Sequence, residues 1–239
     1  NPDTIQAIGH AAMAARSIPS EKFQINIKVF LGDMKNIPQK MYITTIDCYT
    51  AERLVIAPDT GVSVIDACAE VSAAQSLVVE AVNFNAPSQV VIAGHKQAVE
   101  KACEVLKAKG AKRALVLPVS APFHSSLLRP AGERLSQALA GYVFEPPQIP
   151  VIHNVDVSEH RDTEAIKHAL VAQAYHPVRW VETIELMRQR GVDTVIEMGP
   201  GKVLAGLVSR IDKHVRVMSV YDPSTLEQAL ATMGQARAS

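Results

Sequence analysis

The stretch "VIDACAEVSAAQSLVVEAVNFNAPSQVVIAGHKQAVEKACEVLKAKG", Val64–Gly110, decides the fold. Apolar residues recur at helical spacing through "VIDACAEVSAA". The runs "LVVEAVNFN" and "QVVIAG" read as strands, and Pro87 and Ser88 between them have the chemistry of a hairpin turn. Helical spacing returns in "KQAVEKACEVLKAKG" and stops at Gly110. "RALVLPVS", Arg113–Ser120, then reads as another strand. The order helix, strand, strand, helix, strand is that of a βαββαβ ferredoxin-like unit whose first strand is blurred or lost near Gly61.

Downstream, the spacing predicts a helix from Leu127 to about Leu139, a strand "IPVIHNV", and helices over 163–173 and 179–190 separated by Pro177. The strand "TVIEM", a Gly-Pro-Gly turn and the helix "KVLAGLVSRI" follow. Upstream, "EKFQINIKVFLGDMKNIPQKMYITT" is rich in Lys, Ile and Asn and poor in Ala, unlike everything after it. That shift marks a boundary near residue 60. The expected division is an N-terminal segment over 1–60, a ferredoxin-like subdomain over 61–123, and a remainder over 124–239 that belongs to a larger α/β domain.

With 48% hydrophobic residues, a chain of 239 residues is long enough to bury a substantial core. Twenty-four basic residues balance twenty-four acidic ones, so no net field gathers nucleic acid or an anionic membrane, and neither is expected as a partner. Cys48, Cys68 and Cys103 are odd in number and form no Cys-x-x-Cys pair, which fits a reducing cytoplasm. No apolar run approaches the roughly 20 residues needed to cross a bilayer.

The candidate reactive residue is His124, in "PVSAPFHSSLLRP", Pro118–Pro130. It stands where a strand gives way to a helix, with Pro122 restricting the entry and Ser125 or Ser126 available to cap the helix. Two readings fit: a catalytic histidine, or a half-buried junction residue bonded to backbone. "EMGPGKVL", Glu197–Leu204, resembles a phosphate loop but has Val203 where a Ser or Thr would hold magnesium, and Pro200 lacks an N–H; it reads as a structural turn. Asn83 and Asn85 share one side of a strand end, where they bind a ligand or tie the hairpin. Lys112 and Arg113 are solvated surface or an anchor for a phosphate. Glu164 and His168 share a helical face without further ligands, so no metal is expected.

Four segments in order, "AVNFNAPSQVVIAGHKQAVEKA", "AKRALVLPVSAPFHSSLLRPA", "VAQAYHPVRWVETI" and "VIEMGPGKVLAGL", closely resemble the malonyl-CoA:acyl carrier protein transacylases of bacterial fatty acid synthesis, from about Val62 to about Val208. The resemblance implies an α/β-hydrolase-like acyltransferase domain carrying a ferredoxin-like subdomain. It implies a ping-pong reaction in which a serine takes malonyl from malonyl-CoA and passes it to the phosphopantetheine thiol of an acyl carrier protein, in fatty acid or polyketide biosynthesis, with no cofactor. His124 matches the catalytic base, and Gln173 the residue whose main-chain carbonyl orients it. Phe123 matches an aromatic that crowds the acyl α-carbon. Asn83, Asn85 and Arg113 match cleft positions that meet pantetheine or phosphate.

Other elements of the family pattern have no counterpart. The Gly-His-Ser-x-Gly elbow is met only by "IGHAAMA", with Ala11 in place of serine, and the N-terminal Gly-Gln-Gly-Ser-Gln loop is missing. "AERLV", Ala51–Val55, resembles the helix leading to a carboxylate-binding arginine, but no such arginine follows. Two alternatives therefore stand beside the transferase: an inactive module that binds carrier protein or CoA, and an acyl hydrolase using Ser17, Ser20 or Ser125.

Overall fold

The structure, a computed structural model, describes residues 43–44, 54–56, 63–116 and 121–235. The chain divides into two compact units, Tyr42–Arg190 and Asn1–Met41 with Gly191–Ser239.

In the first unit, β1 (Ile43–Thr44) and β2 (Leu54–Ile56) precede helix α1 (Val64–Gln75), the hairpin β3 (Val79–Ala86) and β4 (Gln89–Gly94), and helix α2 (Lys96–Ala108). β4 is central: β2 and β3 both run antiparallel to it, in the order β2-β4-β3, with Val55 opposite Val91 and Ala86 opposite Gln89. The outer strands are therefore parallel to each other with one strand between them, which is the split βαβ arrangement of a ferredoxin-like unit. The hairpin turns at Pro87 and Ser88, as their chemistry predicts.

Two readings need correction here. The first strand lies at Leu54–Ile56, ahead of Gly61, and it takes part of "AERLV" out of the expected helix. The cause is pairing: Leu54, Val55 and Ile56 lie opposite Ile92, Val91 and Val90, and a ladder against a strand rich in β-branched residues outweighs local helix propensity in so short a segment. The expected strand Arg113–Ser120 is a single bridge at Ala114 within the described residues, and 117–120 lie outside them.

The core sits between this sheet and its helices. α1 buries Val64, Ala67, Cys68 and Val71, and α2 buries Ala98, Ala102, Cys103 and Leu106, each at the three- and four-residue spacing of one helix face. Alanines on those faces let the helices lie close to Val79, Val90 and Ile92 of the sheet. Ser63 caps α1, its hydroxyl accepting from the Asp66 amide at 3.2 Å. Gly94 is required by close approach, since a Cβ there would lie 2.1 Å from the Val78 carbonyl oxygen.

After α2 the chain reaches His124, a 3-10 turn (Ser126–Leu128) and α3 (Arg129–Leu139), which begins with a proline in its first turn. β5 (Val151–His153) pairs in parallel with β1 and antiparallel with β6 (Ser158–Glu159). α4 (Thr163–Gln173) and α5 (Trp180–Gln189) complete the unit. Between those helices Val178 adds to β3, its amide donating to the Val82 carbonyl at 2.9 Å while the Phe84 amide donates to its carbonyl at 3.0 Å. Gly132 of α3 meets the ring of Tyr175, where a Cβ would lie 2.6 Å from two ring carbons.

The second unit is a β-α-β-α run: β7 (Thr194–Met198), α6 (Val203–Ile211), β8 (Arg216–Val220) and α7 (Pro223–Gln235), with β7 and β8 parallel from Thr194↔Arg216 to Met198↔Val220. β8 and α7 lie beyond the last element expected from the sequence. Among the described residues no helix is long and apolar enough to cross a membrane.

Candidate active site

His124 is buried, 4% exposed, and its backbone is left-handed at φ 63°. For a residue with a Cβ that conformation costs about 1–3 kcal/mol and persists only where surrounding contacts impose it. Ser125 closes the turn on one side: its amide and its hydroxyl both donate to the Pro122 carbonyl, at 3.2 and 2.6 Å. On the other side the Ser126 amide and hydroxyl both reach the carboxylate of Glu80, each at 2.7 Å.

The imidazole Nδ1 lies 2.7 Å from the main-chain oxygen of Gln173, 49 positions along the chain. A carbonyl oxygen only accepts, so in this bond Nδ1 carries the proton and the neutral ring keeps its lone pair on Nε2. Nε2 is itself shielded from solvent. Gln173 is the last residue of α4, where carbonyls run out of intrahelical partners; its oxygen takes His124 instead. That oxygen is also at the negative end of the helix dipole, which favours positive charge on the ring by about 0.3–1 kcal/mol. A neutral carbonyl so placed can orient a base and help it carry a proton.

Asn83 is buried in β3 and bridges Val178, five residues after Gln173; Asn85 is half-buried, on a strand whose register shifts between Ala81 and Asn83 and again between Phe84 and Ala86. Phe123 is half-buried beside His124. Arg113 is exposed, one residue before the bridge at Ala114. Ser125 is fully buried with its hydroxyl committed to Pro122, a geometry that gives the hydrolase reading no nucleophile there. Ser17, Ser20 and "IGHAAMA" lie outside the described residues.

The Gly-Pro-Gly turn is closed to anions. Both oxygens of Glu197 accept from the first amides of α6, Leu204 at 3.1 Å and Ala205 at 2.8 Å, so the helix end that would bind a phosphate already holds a carboxylate. Among the described residues no group of three or more His, Cys, Asp or Glu is placed to hold a metal ion. Burial pushes the Cys68 thiol up to about 12, with Cys103 and Glu80 adding to the effect, so neither it nor Cys103, also raised by burial, is a reactive thiolate. Nothing in the sequence marks Glu80, which reads as one more polar residue on a strand.

The acyl transferase domain profile matches residues 57–223. The chain belongs to the acyl transferase domain family. The chain is 49% identical over 168 residues to the malonyl CoA-acyl carrier protein transacylase of Escherichia coli K12, covering 70% of this chain and 54% of that one. The chain thus spans about half the length of the curated relatives it matches. Among solved structures it is similar to an acyl-carrier-protein S-malonyltransferase from Burkholderia pseudomallei, at 55% identity and TM-score 0.71, covering 76% of this chain and 59% of that one. It is also similar to a malonyl-transacylase solved in complex with a type II PKS acyl-carrier protein, at 48% identity and TM-score 0.72, covering 76% and 58%. The profile begins at residue 57, close to the composition boundary, and runs past Val208 through β8. Strand β8 belongs to the family fold, and its five residues, exposed at Arg216 and half-buried at Val217–Ser219, carry too faint an alternation to stand out in the sequence.

Proposed function

We propose that this acyl transferase moves malonyl from coenzyme A to the phosphopantetheine thiol of an acyl carrier protein, with His124 as the base. The observation that carries the reading is the 2.7 Å approach of His124 Nδ1 to the Gln173 carbonyl, which puts the proton on Nδ1 and the lone pair of the neutral ring on Nε2. Nε2 takes the proton of a serine hydroxyl as that oxygen attacks the malonyl thioester, and returns it to the departing CoA thiolate. In the second half, Nε2 takes the proton of the carrier thiol and gives it back to the serine as the ester breaks. Phe123, next to His124, narrows the space around the acyl α-carbon; Asn83, Asn85 and Arg113 contact pantetheine or phosphate. Malonyl-CoA is a substrate, and the scheme uses no cofactor and no metal. The names of the relatives support the substrate pair and the carrier-protein partner. A reaction that joins two steps of fatty acid or polyketide assembly belongs in the cytoplasm.

A second reading, a module that holds carrier protein or CoA without turnover, is favoured by one observation: no Gly-His-Ser-x-Gly stretch occurs in the sequence. One experiment separates the two. The chain is incubated with malonyl-CoA and holo-acyl carrier protein, and both proteins are weighed intact. A malonyl group on the carrier, lost in His124→Ala, supports the transferase and peptide mapping of the acylated chain names its serine. No malonyl on either protein, with CoA binding that weakens as salt rises, supports the module.

A further inference from the structure

We propose that Glu80 is the positioning residue for His124: by holding both the amide and the hydroxyl of Ser126, its carboxylate fixes the left-handed backbone of His124 and so the bond from Nδ1 to Gln173. The inference rests on the reading of His124 as the base. It goes beyond it by naming the residue that makes the base competent.

A left-handed histidine does not hold itself in place; its neighbours must fix the peptide on each side. The Pro122–Ser125 turn fixes the preceding side and is local, so by itself it anchors the loop to nothing else. Glu80 supplies the anchor. Its two oxygens each take one bond of 2.7 Å from Ser126, 46 positions away, in a part-buried setting where charge-assisted bonds are shielded from water. The Ser126 amide opens the 3-10 turn that runs into α3, a helix start that favours a negative charge.

β3 also holds the other half of the pair. Two residues beyond Glu80, the Val82 carbonyl and then the Phe84 amide bind Val178, which follows Gln173 by five residues. One strand therefore carries both attachments: a side chain grips the His124 loop, and main-chain groups grip the segment leaving α4. Among the described residues both hydrogen bonds to the Glu80 oxygens come from Ser126, so the carboxylate is engaged with this loop.

The test uses the full chain with Glu80→Gln, Glu80→Ala, Ser126→Ala and the Glu80→Ala/Ser126→Ala pair. Ring 15N shifts of His124 report its tautomer, and exchange of the Nδ1 proton with water reports the bond to Gln173; melting is followed alongside. The parent should show a single Nδ1–H tautomer with a protected proton. Glu80→Ala and Ser126→Ala should populate the second tautomer and speed exchange by about tenfold or more, with Glu80→Gln between. The double variant should be no worse than Glu80→Ala, because one clamp can be lost only once. Where Glu80→Ala does not fold, Glu80→Gln and Ser126→Ala carry the same comparison. Unchanged His124 signals in those variants, with only the melting temperature lowered, would overturn the proposal and leave Glu80 a tether. Moved signals in a protein whose parent transfers no malonyl would uphold the positioning role while removing the base reading.

Discussion

The molecule turns from strand or loop into helix at two junctions that look alike in the sequence and differ in the structure. Before α6, the turn after β7 uses Gly199 and Gly201, at φ 142° and 100°, and Glu197 from the preceding strand caps the helix. Before α3, Glu80 holds the helix start from a distant strand, and the left-handed position is a buried histidine. Glycine is the ordinary solution to a positive φ, so the first junction is built to turn the chain at low cost. The second keeps an imidazole where glycine would be easier, and the difference teaches where the fold bears strain for the sake of a side chain.

The sharpest way to break this comparison is His124→Gly, which keeps the left-handed backbone and removes only the ring. Malonyl transfer should fall by about 10²–10⁴-fold, with stability changed far less. A steady-state assay beside thermal melting decides it, and an equal fall in both would make His124 a packing residue. Next in size is Gly94→Ala, a control for close approach rather than for turn strain. Its Cβ would press on the Val78 carbonyl, so a loss of about 3 kcal/mol in urea unfolding is expected, against no measurable change for Gly141→Ala, where nothing lies within 4 Å. Gly201→Ala, which meets strain but no neighbour, should cost about 1–2 kcal/mol and leave transfer unaltered. Glu197→Ala should cost about 1 kcal/mol by uncapping α6, again without effect on transfer.

Much of this was legible in the sequence where short-range physics governs. The α2 face of Ala98, Ala102, Cys103 and Leu106 and the turn at Pro87 and Ser88 follow from periodicity and turn chemistry. β2 is not legible in the sequence, because three residues become a strand only through their partners in β4. The pairing of His124 with Gln173 spans 49 positions and uses a main-chain oxygen, which no residue type announces; resemblance pointed to it and spacing did not. Glu80 was invisible for the same reason, since its meaning lies in Ser126 across 46 positions.

The smallest expected effect sets both junctions against the β5–β6 hairpin. There burial holds the His153 imidazole below its usual pKa of 6.5, with His160 lowering it further and Asp156 opposing. Folding thus favours the neutral ring: the stability it contributes is present above about pH 6.5 and fades as pH falls through that value toward the folded pKa. Melting temperatures between pH 8 and 5 should fall less steeply in His153→Gln than in the parent. Parallel profiles would show that His153 titrates alike in the folded and unfolded chain.

Gly132 lies close to the place where α4 hands its last carbonyl to His124. α3 begins just after the histidine and α4 ends on the carbonyl that receives it, and Gly132 of α3 faces the ring of Tyr175, two residues past the end of α4. The guanidinium of Arg129 rests 4.7 Å from the centre of the same ring. A missing side chain thus leaves room for a ring: a Cβ at position 132 would lie 2.6 Å from two carbons of Tyr175, and that ring, with Arg129 stacked on it, would have to give way beside the end of α4 that meets the imidazole.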